Sequence, residues 1–209
     1  MTRSDRIALL PGVDVSRETE LRLRQFVGLV EKWTTRINLV SAKSLSDIWS
    51  RHVLDSAQLY RLAPDKTQHW VDLGSGAGFP GVVISILAQD RIRPLRMTLV
   101  ESDQRKAAFL RSAARDLGIG LQILTSRIEQ TPGLNADVLS ARALGALPVL
   151  LSYADRHLSK SGTALFPKGR SAPDEIVAAK ADWRFHVVSH PSMTDPDAQI
   201  LQVENVVHV

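Results

Sequence analysis

The stretch Trp70-Val71-Asp72-Leu73-Gly74-Ser75-Gly76-Ala77-Gly78-Phe79-Pro80-Gly81 carries a short apolar strand into a turn with glycine at every second position. Glycine reaches positive φ without strain and lets the backbone approach a ligand closely. Glycines at 74, 76 and 78 and a fourth at 81 exceed what a plain strand-to-helix turn requires. The turn therefore reads as a binding loop, and 81–88 as the helix that follows it.

Beyond this loop, strand and helix patterns alternate. Residues 97–100 read as a strand ending at Glu101. Ser102 or Asp103 caps a helix of good formers through Arg115, and Gly118 suits its C-terminal end. Strands follow at 121–124, 136–139 and 163–166, with a helix at 147–158 between the last two. Pro173 suits the first turn of a helix reaching about Lys180. The runs 183–188 and 199–207 are extended and predict an antiparallel pair. Alternation of this kind predicts an α/β fold, a mostly parallel sheet with helices on both faces. Ligands in such sheets lie beyond the carboxyl ends of the strands, near the switch point. The chemistry is expected after Leu73, Val100, Leu124 and Leu139.

Upstream, residues up to about 67 look helical. Leu23, Phe26, Val30, Trp33 and Ile37 recur at steps of three and four, one face of an amphipathic helix capped by Asp14 or Ser16. A second helix is predicted from Ser44, with Asp47 in a capping-box arrangement and Leu45, Ile48, Trp49 and Val53 on one side, ending before Pro64. The expected division is an N-terminal helical extension, 1–67, and one compact domain, 68–209.

Composition narrows the function. At 209 residues, 44% hydrophobic and 23% charged, the chain is an ordinary globular protein and not a disordered or fibrous one. Cysteine is absent, which excludes a disulfide framework, a thiolate metal site and a cysteine nucleophile. The net charge of +4, with pI about 9.7, is mildly basic. Arginine supplies 19 of the 26 basic residues, and its forked donors suit phosphate. Residues 1–11 carry Arg3, Asp5 and Arg6 and only a short apolar run, so they do not read as a signal peptide. The longest uncharged run, 73–89, is broken by glycines and a proline and makes a poor spanning helix. The expected location is cytoplasmic.

The ligand of the loop is a sharper question. A dinucleotide fingerprint is G-x-G-x-x-G with an acid about 20 residues on. Here the third glycine comes one residue early, and the acid closing the next strand, Glu101, is 27 residues after Gly74. No G-x-x-x-x-G-K-[ST] is present, which argues against a P-loop nucleotide. The D-L-G-S-G-A-G pattern instead resembles motif I of S-adenosylmethionine-dependent methyltransferases. In that class an acid after the second strand accepts hydrogen bonds from the ribose hydroxyls, a place Glu101 would fill. Its bland alternative is a carboxylate favoured by a helix N-terminus.

Five further segments occur in order: Asn38-Leu39-Val40-Ser41, Arg51-His52-Val53-Leu54-Asp55-Ser56, Gly78-Phe79-Pro80-Gly81, Ser126-Arg127-Ile128-Glu129 and Ser140-Ala141-Arg142-Ala143. With their natural spacing they resemble the small-subunit ribosomal RNA methyltransferase G family, also called glucose-inhibited division protein B, over residues 20–170. The resemblance implies a Rossmann-like methyltransferase fold with a seven-stranded sheet. It implies methylation of N7 of one guanine in 16S ribosomal RNA, with S-adenosylmethionine as cofactor and the RNA or the small ribosomal subunit as partner. A monomer and no metal are expected. The implied cofactor contacts are Gly74, Gly76 and Phe79 in the loop, Glu101, Ile128 and Glu129 after the next strands, and Arg142. The family loop often has leucine where Phe79 stands. The segment from about Ser171 onward matches least well, and nothing functional is assigned there.

Chemistry fits this reading. N7 of guanine carries an in-plane lone pair at neutral pH, so attack on a sulfonium methyl needs positioning and no general base. The missing cysteine disfavours C5 methylation of pyrimidines, and no [DN]-P-P-[YFW] motif for an exocyclic amine is present. Catalytic candidates are His52, Asp55 and Arg142. His52 and Asp55, three apart on one helix face, read first as a polar pair tying the N-terminal helices to the sheet and second as a pair orienting the target. Arg142 suits the cofactor carboxylate or a target phosphate. Lys168, after the fifth strand, and Arg51 are candidates for RNA phosphate, with Arg17, Arg22, Arg24, Arg36 and Lys43 as further RNA-facing residues. Arg91, Arg93 and Arg96 are expected at the opposite end of the sheet as a solvated cluster. Three alternatives stay open here: a methyltransferase of this fold acting on a small molecule or protein, a nicotinamide-dependent oxidoreductase, and a non-enzymatic RNA-binding protein that has lost cofactor binding, against which the intact glycine loop and Glu101 speak.

Overall fold

A computed structural model describes residues 6–91 and 94–209. The described chain opens on a hairpin, β1 (Arg6–Leu10) and β2 (Val13–Ser16), then enters α1 (Arg17–Ile37) and the short α2 (Ala42–Leu45). A π-helical turn, Trp49–Leu54, leads into α3 (Asp55–Leu62). There follow β3 (His69–Leu73), α4 (Gly81–Leu87), β4 (Arg96–Val100), α5 (Gln104–Leu117) and β5 (Leu121–Leu124). The chain continues through β6 (Ala136–Ala141), α6 (Leu147–His157), β7 (Leu158–Lys168), α7 (Ala172–Ala179), β8 (Trp183–Pro191) and β9 (Gln199–His208).

Seven strands form one sheet in the order β5-β4-β3-β6-β7-β9-β8. The first five pair in parallel, and only β9 runs against its neighbours. From β3 the chain moves outward through β4 to β5, then returns to the other side of β3 for β6. That reversal opens a crevice beyond the ends of β3 and β6.

Side-chain alternation along β3 sets up the two layers. Trp70 joins the core formed with α1, α4 and α5, including Phe26, Ile84 and Phe109. Val71 and Leu73 join the other core, with Leu150 and Leu151 of α6 and Ala172 of α7. Each fully buried residue of leucine size contributes about 1.5–3 kcal/mol. Leu23, Phe26 and Val30 are fully buried, so the amphipathic face of α1 is part of the first core.

Of the capping alternatives, Ser16 holds α1 by accepting the Thr19 amide, and Asp103 holds α5 by accepting those of Arg105 and Lys106. Gly118 ends α5 in the left-handed region at φ 63°.

Two expectations for the N-terminal segment are corrected. It is not helical throughout, because residues 6–16 form the hairpin around Pro11-Gly12, with Gly12 at φ 82°. Alternating Ile7, Leu9, Val13 and Val15 carry that strand signal. Ser44 does not open a helix either. Ser41 caps the single turn α2 by accepting the Ser44 amide, and the chain then passes into the wider π turn. β7 also begins earlier than the expected 163, directly at the end of α6.

Candidate active site

Beyond the carboxyl ends of β3, β6 and β7 lies a cavity of about 850 Å³. Gly74, Gly76, Phe79, His52, Asp55, Arg142, Arg51 and Lys168 all line it. Glu101, Ile128 and Glu129 stand outside that lining.

One wall is backbone. Gly74 and Gly76 have φ of 65° and 54°, where side chains are strained. A Cβ on Gly74 would lie 2.7 Å from Leu144 Cδ1, so Leu144 covers the loop there. A Cβ on Gly76 would meet nothing nearer than the Gly74 carbonyl at 3.7 Å, and would stand in the space the loop leaves open. The Gly74 and Ser75 amides donate to the Val100 carbonyl at 2.8 and 3.2 Å, which seats the loop on the end of β4. Beneath it, the buried Asp72 carboxylate accepts from Ser140 Oγ at 2.7 Å and from the Gly81 amide at 3.2 Å. Burial pushes Asp72 up to about 6, against the hydrogen bonds that favour its charge.

Glu101 is buried, and its carboxylate accepts the Gly76 amide at 2.8 Å and the Asp103 amide at 2.7 Å. Asp103 performs the helix capping, so the carboxylate of Glu101 is turned to the glycine loop. In the turn Ile128–Gln130, Ile128 is buried, and Glu129 accepts from Tyr153 Oη at 2.5 Å. That hydroxyl holds Glu129 below the usual carboxylate range. The open backbone at Gly76 and a carboxylate fixed against it suit a nucleoside with a vicinal diol. The residues fit S-adenosylmethionine.

The facing wall is side chains. Arg142 donates to His52 Nδ1 at 2.7 Å, to Asp55 Oδ2 at 3.3 Å and to the Arg51 carbonyl at 3.1 Å. Arginine has no acceptor, so Nδ1 of His52 carries the lone pair and the ring is neutral with its proton on Nε2. Burial, then the charges of Arg142 and Arg51, lower His52 to about 4. Its ring stacks on Phe79 at 4.8 Å, and the Arg142 guanidinium lies 5.7 Å from the Phe79 centroid. Phe26 of α1 meets the same ring at 5.1 Å. Burial raises Asp55 while Arg142 and the Thr194 hydroxyl oppose the shift. His52 and Asp55 thus tie the π turn to the end of β6, and they do so inside the cleft.

Sequence reasoning missed the continuation of this wall. Gln58 Nε2 donates toward Asp55 Oδ1, Ser192 Oγ and Thr194 Oγ1, and Gln58 Oε1 accepts the Met193 amide at 2.6 Å. Thr194 and Asp195, in the β8–β9 turn, line the cavity. Asp195-Pro196 between two extended runs signals a turn but not its destination.

The basic candidates divide. Lys168 donates to the Gly145 carbonyl at 2.9 Å and pairs with Glu175 at 2.6 Å, and Glu175 accepts the Leu147 amide. The lysine braces the β6–α6 loop and is not a free cation. Arg51 remains at the rim, 4.0 Å from Asp47. Arg24 is occupied by Glu20 and by the face of Trp49. Arg91 and Arg96 do lie at the far end, but as fixed groups: Arg91 donates to the Asp65 carbonyl and Arg96 to His69 Nδ1. Arg93 lies outside the described residues.

The model of rRNA small subunit methyltransferase G (GidB) matches residues 19–202. The chain belongs to this family. A relative from Cereibacter sphaeroides, ribosomal RNA small subunit methyltransferase G, is 50% identical and covers 97% of this chain and 98% of its own length. One of the same name from Ruegeria pomeroyi is 51% identical over 94% and 96%. Solved structures show the same fold. A ribosomal protein L11 methylase from Lactobacillus delbrueckii superposes with TM-score 0.58 at 17% identity, over 72% of this chain and 76% of its own. An MtNAS mutant in complex with S-adenosylmethionine gives 0.57 at 16%, over 90% and 76%. The protein is therefore a methyltransferase whose cofactor is S-adenosylmethionine, and the nicotinamide alternative falls. Among the described residues no helix is long and apolar enough to cross a membrane.

Proposed function

We propose that this methyltransferase modifies N7 of one guanine in 16S ribosomal RNA, as a cytoplasmic monomer. The observation that carries the reading is the state of His52. Among the described residues it is the only imidazole lining the cleft, it is neutral, and its lone pair is engaged by Arg142. Asp55 is likewise engaged by Arg142, Gln58 and Thr194. Neither is arranged to take a proton from a nucleophile, and N7 of guanine has none to give.

The bound cofactor supplies an electrophilic methyl on a sulfonium. With that group held by the glycine loop, attack by the N7 lone pair would need alignment only and would leave the base cationic. The chain's residues bind and align. Gly74 and Gly76 would present backbone to the cofactor, Glu101 would accept from its ribose hydroxyls, and Ile128 and Glu129 would flank its adenine. Phe79 and Arg142 stand where cofactor and target meet. Alignment of this kind converts a bimolecular attack into an effectively unimolecular one. Residues 1–67 serve as the extension that completes the target side through His52, Asp55 and Gln58.

The test is methyl transfer from labelled S-adenosylmethionine to small ribosomal subunits from cells lacking this protein, followed by nucleoside analysis. Label in 7-methylguanosine is expected. Absence of label from a protein shown to bind the cofactor would overturn the acceptor and leave the fold standing.

A further inference from the structure

We propose that the β8–β9 turn, Ser192 to Ala198, is the wall that reads the target base, with the Asp195 carboxylate accepting the N1–H and N2–H donors of guanine. This rests on the guanine-N7 reading above.

The placement follows from the sheet. β9 begins at Gln199, paired with Lys168 at the end of β7, so the turn stands at the carboxyl edge. From β3 across β6 and β7 to β9 is three strand steps of about 4.8 Å, or about 14 Å. In a purine, N7 lies on one edge and N1 and N2 on the opposite edge. A guanine that offers N7 to a methyl donor on the glycine loop therefore turns its N1–H and N2–H across the cleft.

Those two parallel donors call for two acceptors side by side, which a carboxylate provides. Among the described residues, four carboxylates line the cavity: Asp47, Asp55, Glu175 and Asp195. Asp55 is engaged by Arg142, Gln58 and Thr194. Glu175 is engaged by Lys168, Ser171 and the Leu147 amide. Asp47 stands at the exposed rim beside Arg51. Asp195 is exposed to the cleft, and its Oδ1 accepts the Asp197 amide of its own turn at 2.9 Å, a bond that orients the group.

The turn is also fixed. Gln58 is 3% exposed, and its amide grips Ser192, Met193 and Thr194 at once. Gln58 is thus a positioning residue for Asp195, preorganising the acceptor before the base arrives. The arrangement favours the transition state as well. Charge developing on the imidazole ring makes N1–H a stronger donor, so its bond to a carboxylate tightens as methyl transfer proceeds.

The experiment uses reconstituted small subunits carrying guanosine or inosine at the target; inosine keeps N7 and N1–H and lacks the N2 amine. The unmodified enzyme is expected to favour guanosine in kcat/KM by about 10- to 100-fold, the effect of one hydrogen bond to a charged group. Asp195→Asn and Asp195→Ala are expected to bring that ratio close to unity while cofactor affinity stays unchanged, and Asp195→Glu to recover part of it. Gln58→Leu should raise KM for subunits at unchanged cofactor affinity. An undiminished guanosine preference in Asp195→Ala, or loss of cofactor binding in that variant, would overturn the proposal while methylation of guanosine stands. Failure of the unmodified enzyme to form 7-methylguanosine would instead remove the acceptor reading, and this proposal with it.

Discussion

The two walls of the cleft are built from different materials. On the glycine-loop side, the surface is backbone, shaped by the side chains that Gly74 and Gly76 do not have. On the target side, the surface is a chain of side chains, Arg142, His52, Asp55, Gln58 and Thr194, drawn from three separated stretches of sequence. The first wall should fail when atoms are added and the second when atoms are removed.

Gly74→Val tests the first most severely. Its Cβ would press on Leu144 from 2.7 Å in a backbone region hostile to branched residues. Cofactor affinity is expected to fall on the order of 100-fold, measured by titration calorimetry, together with a lowered melting temperature, because the displaced Leu144 and the strained backbone belong to the folded protein before any ligand binds. Unchanged affinity would break the contrast between the walls.

Arg142→Ala tests the second. It strips Asp55 of its cation and His52 of its donor, both in a largely desolvated place. A loss of about 1–3 kcal/mol in denaturant stability is expected, together with a turnover defect. NMR titration should show His52 climbing from about 4 toward its ordinary value. An unmoved His52 would show that burial alone holds it down.

The walls also differ in the sign of their pH dependence. His52, lowered to about 4 from 6.5, binds its proton more weakly in the folded state. Its contribution to stability therefore rises with pH between about 4 and 6.5. Asp72, raised from 3.8 to about 6, does the opposite, and stability falls as pH climbs through that interval. Thermal melts from pH 4 to 6.5 should slope more steeply upward in Asp72→Asn and downward in His52→Gln than in the unmodified protein. Parallel slopes in the two variants would refute the assignment.

The smallest effect is expected on α1, whose arginines do not line the cleft. Arg22→Ala with Arg36→Ala should weaken RNA binding a few-fold and flatten its salt dependence by about one unit for each phosphate that is no longer neutralised. Arg96→Ala, at the amino end of β4, should leave both unchanged.

The same contrast separates what is legible in the sequence from what is not. Alternating glycines, the caps at Ser16 and Asp103 and the strand ending at Glu101 are local signals, because each satisfies its own neighbouring backbone. The N-terminal hairpin is equally local but brief, and its alternation is easily mistaken for a short apolar run. The π turn has no composition of its own, so the sequence does not display the register that brings His52 and Asp55 together at Arg142. Gln58 gives no signal at all. Its partners in the β8–β9 turn lie more than 130 positions away, and only the antiparallel return of β9 brings them to it.

Phe79 belongs to both walls. Its ring touches Phe26, His52 and Arg142, while its backbone continues the glycine loop. Whatever shifts this ring when one half of the cleft fills must alter the affinity of the other half. Thermodynamic linkage makes such an influence reciprocal. A cofactor that improves RNA binding through Phe79 would be held more tightly, by the same factor, once RNA is bound. The order in which the two arrive would then govern the kinetics and leave the combined affinity untouched.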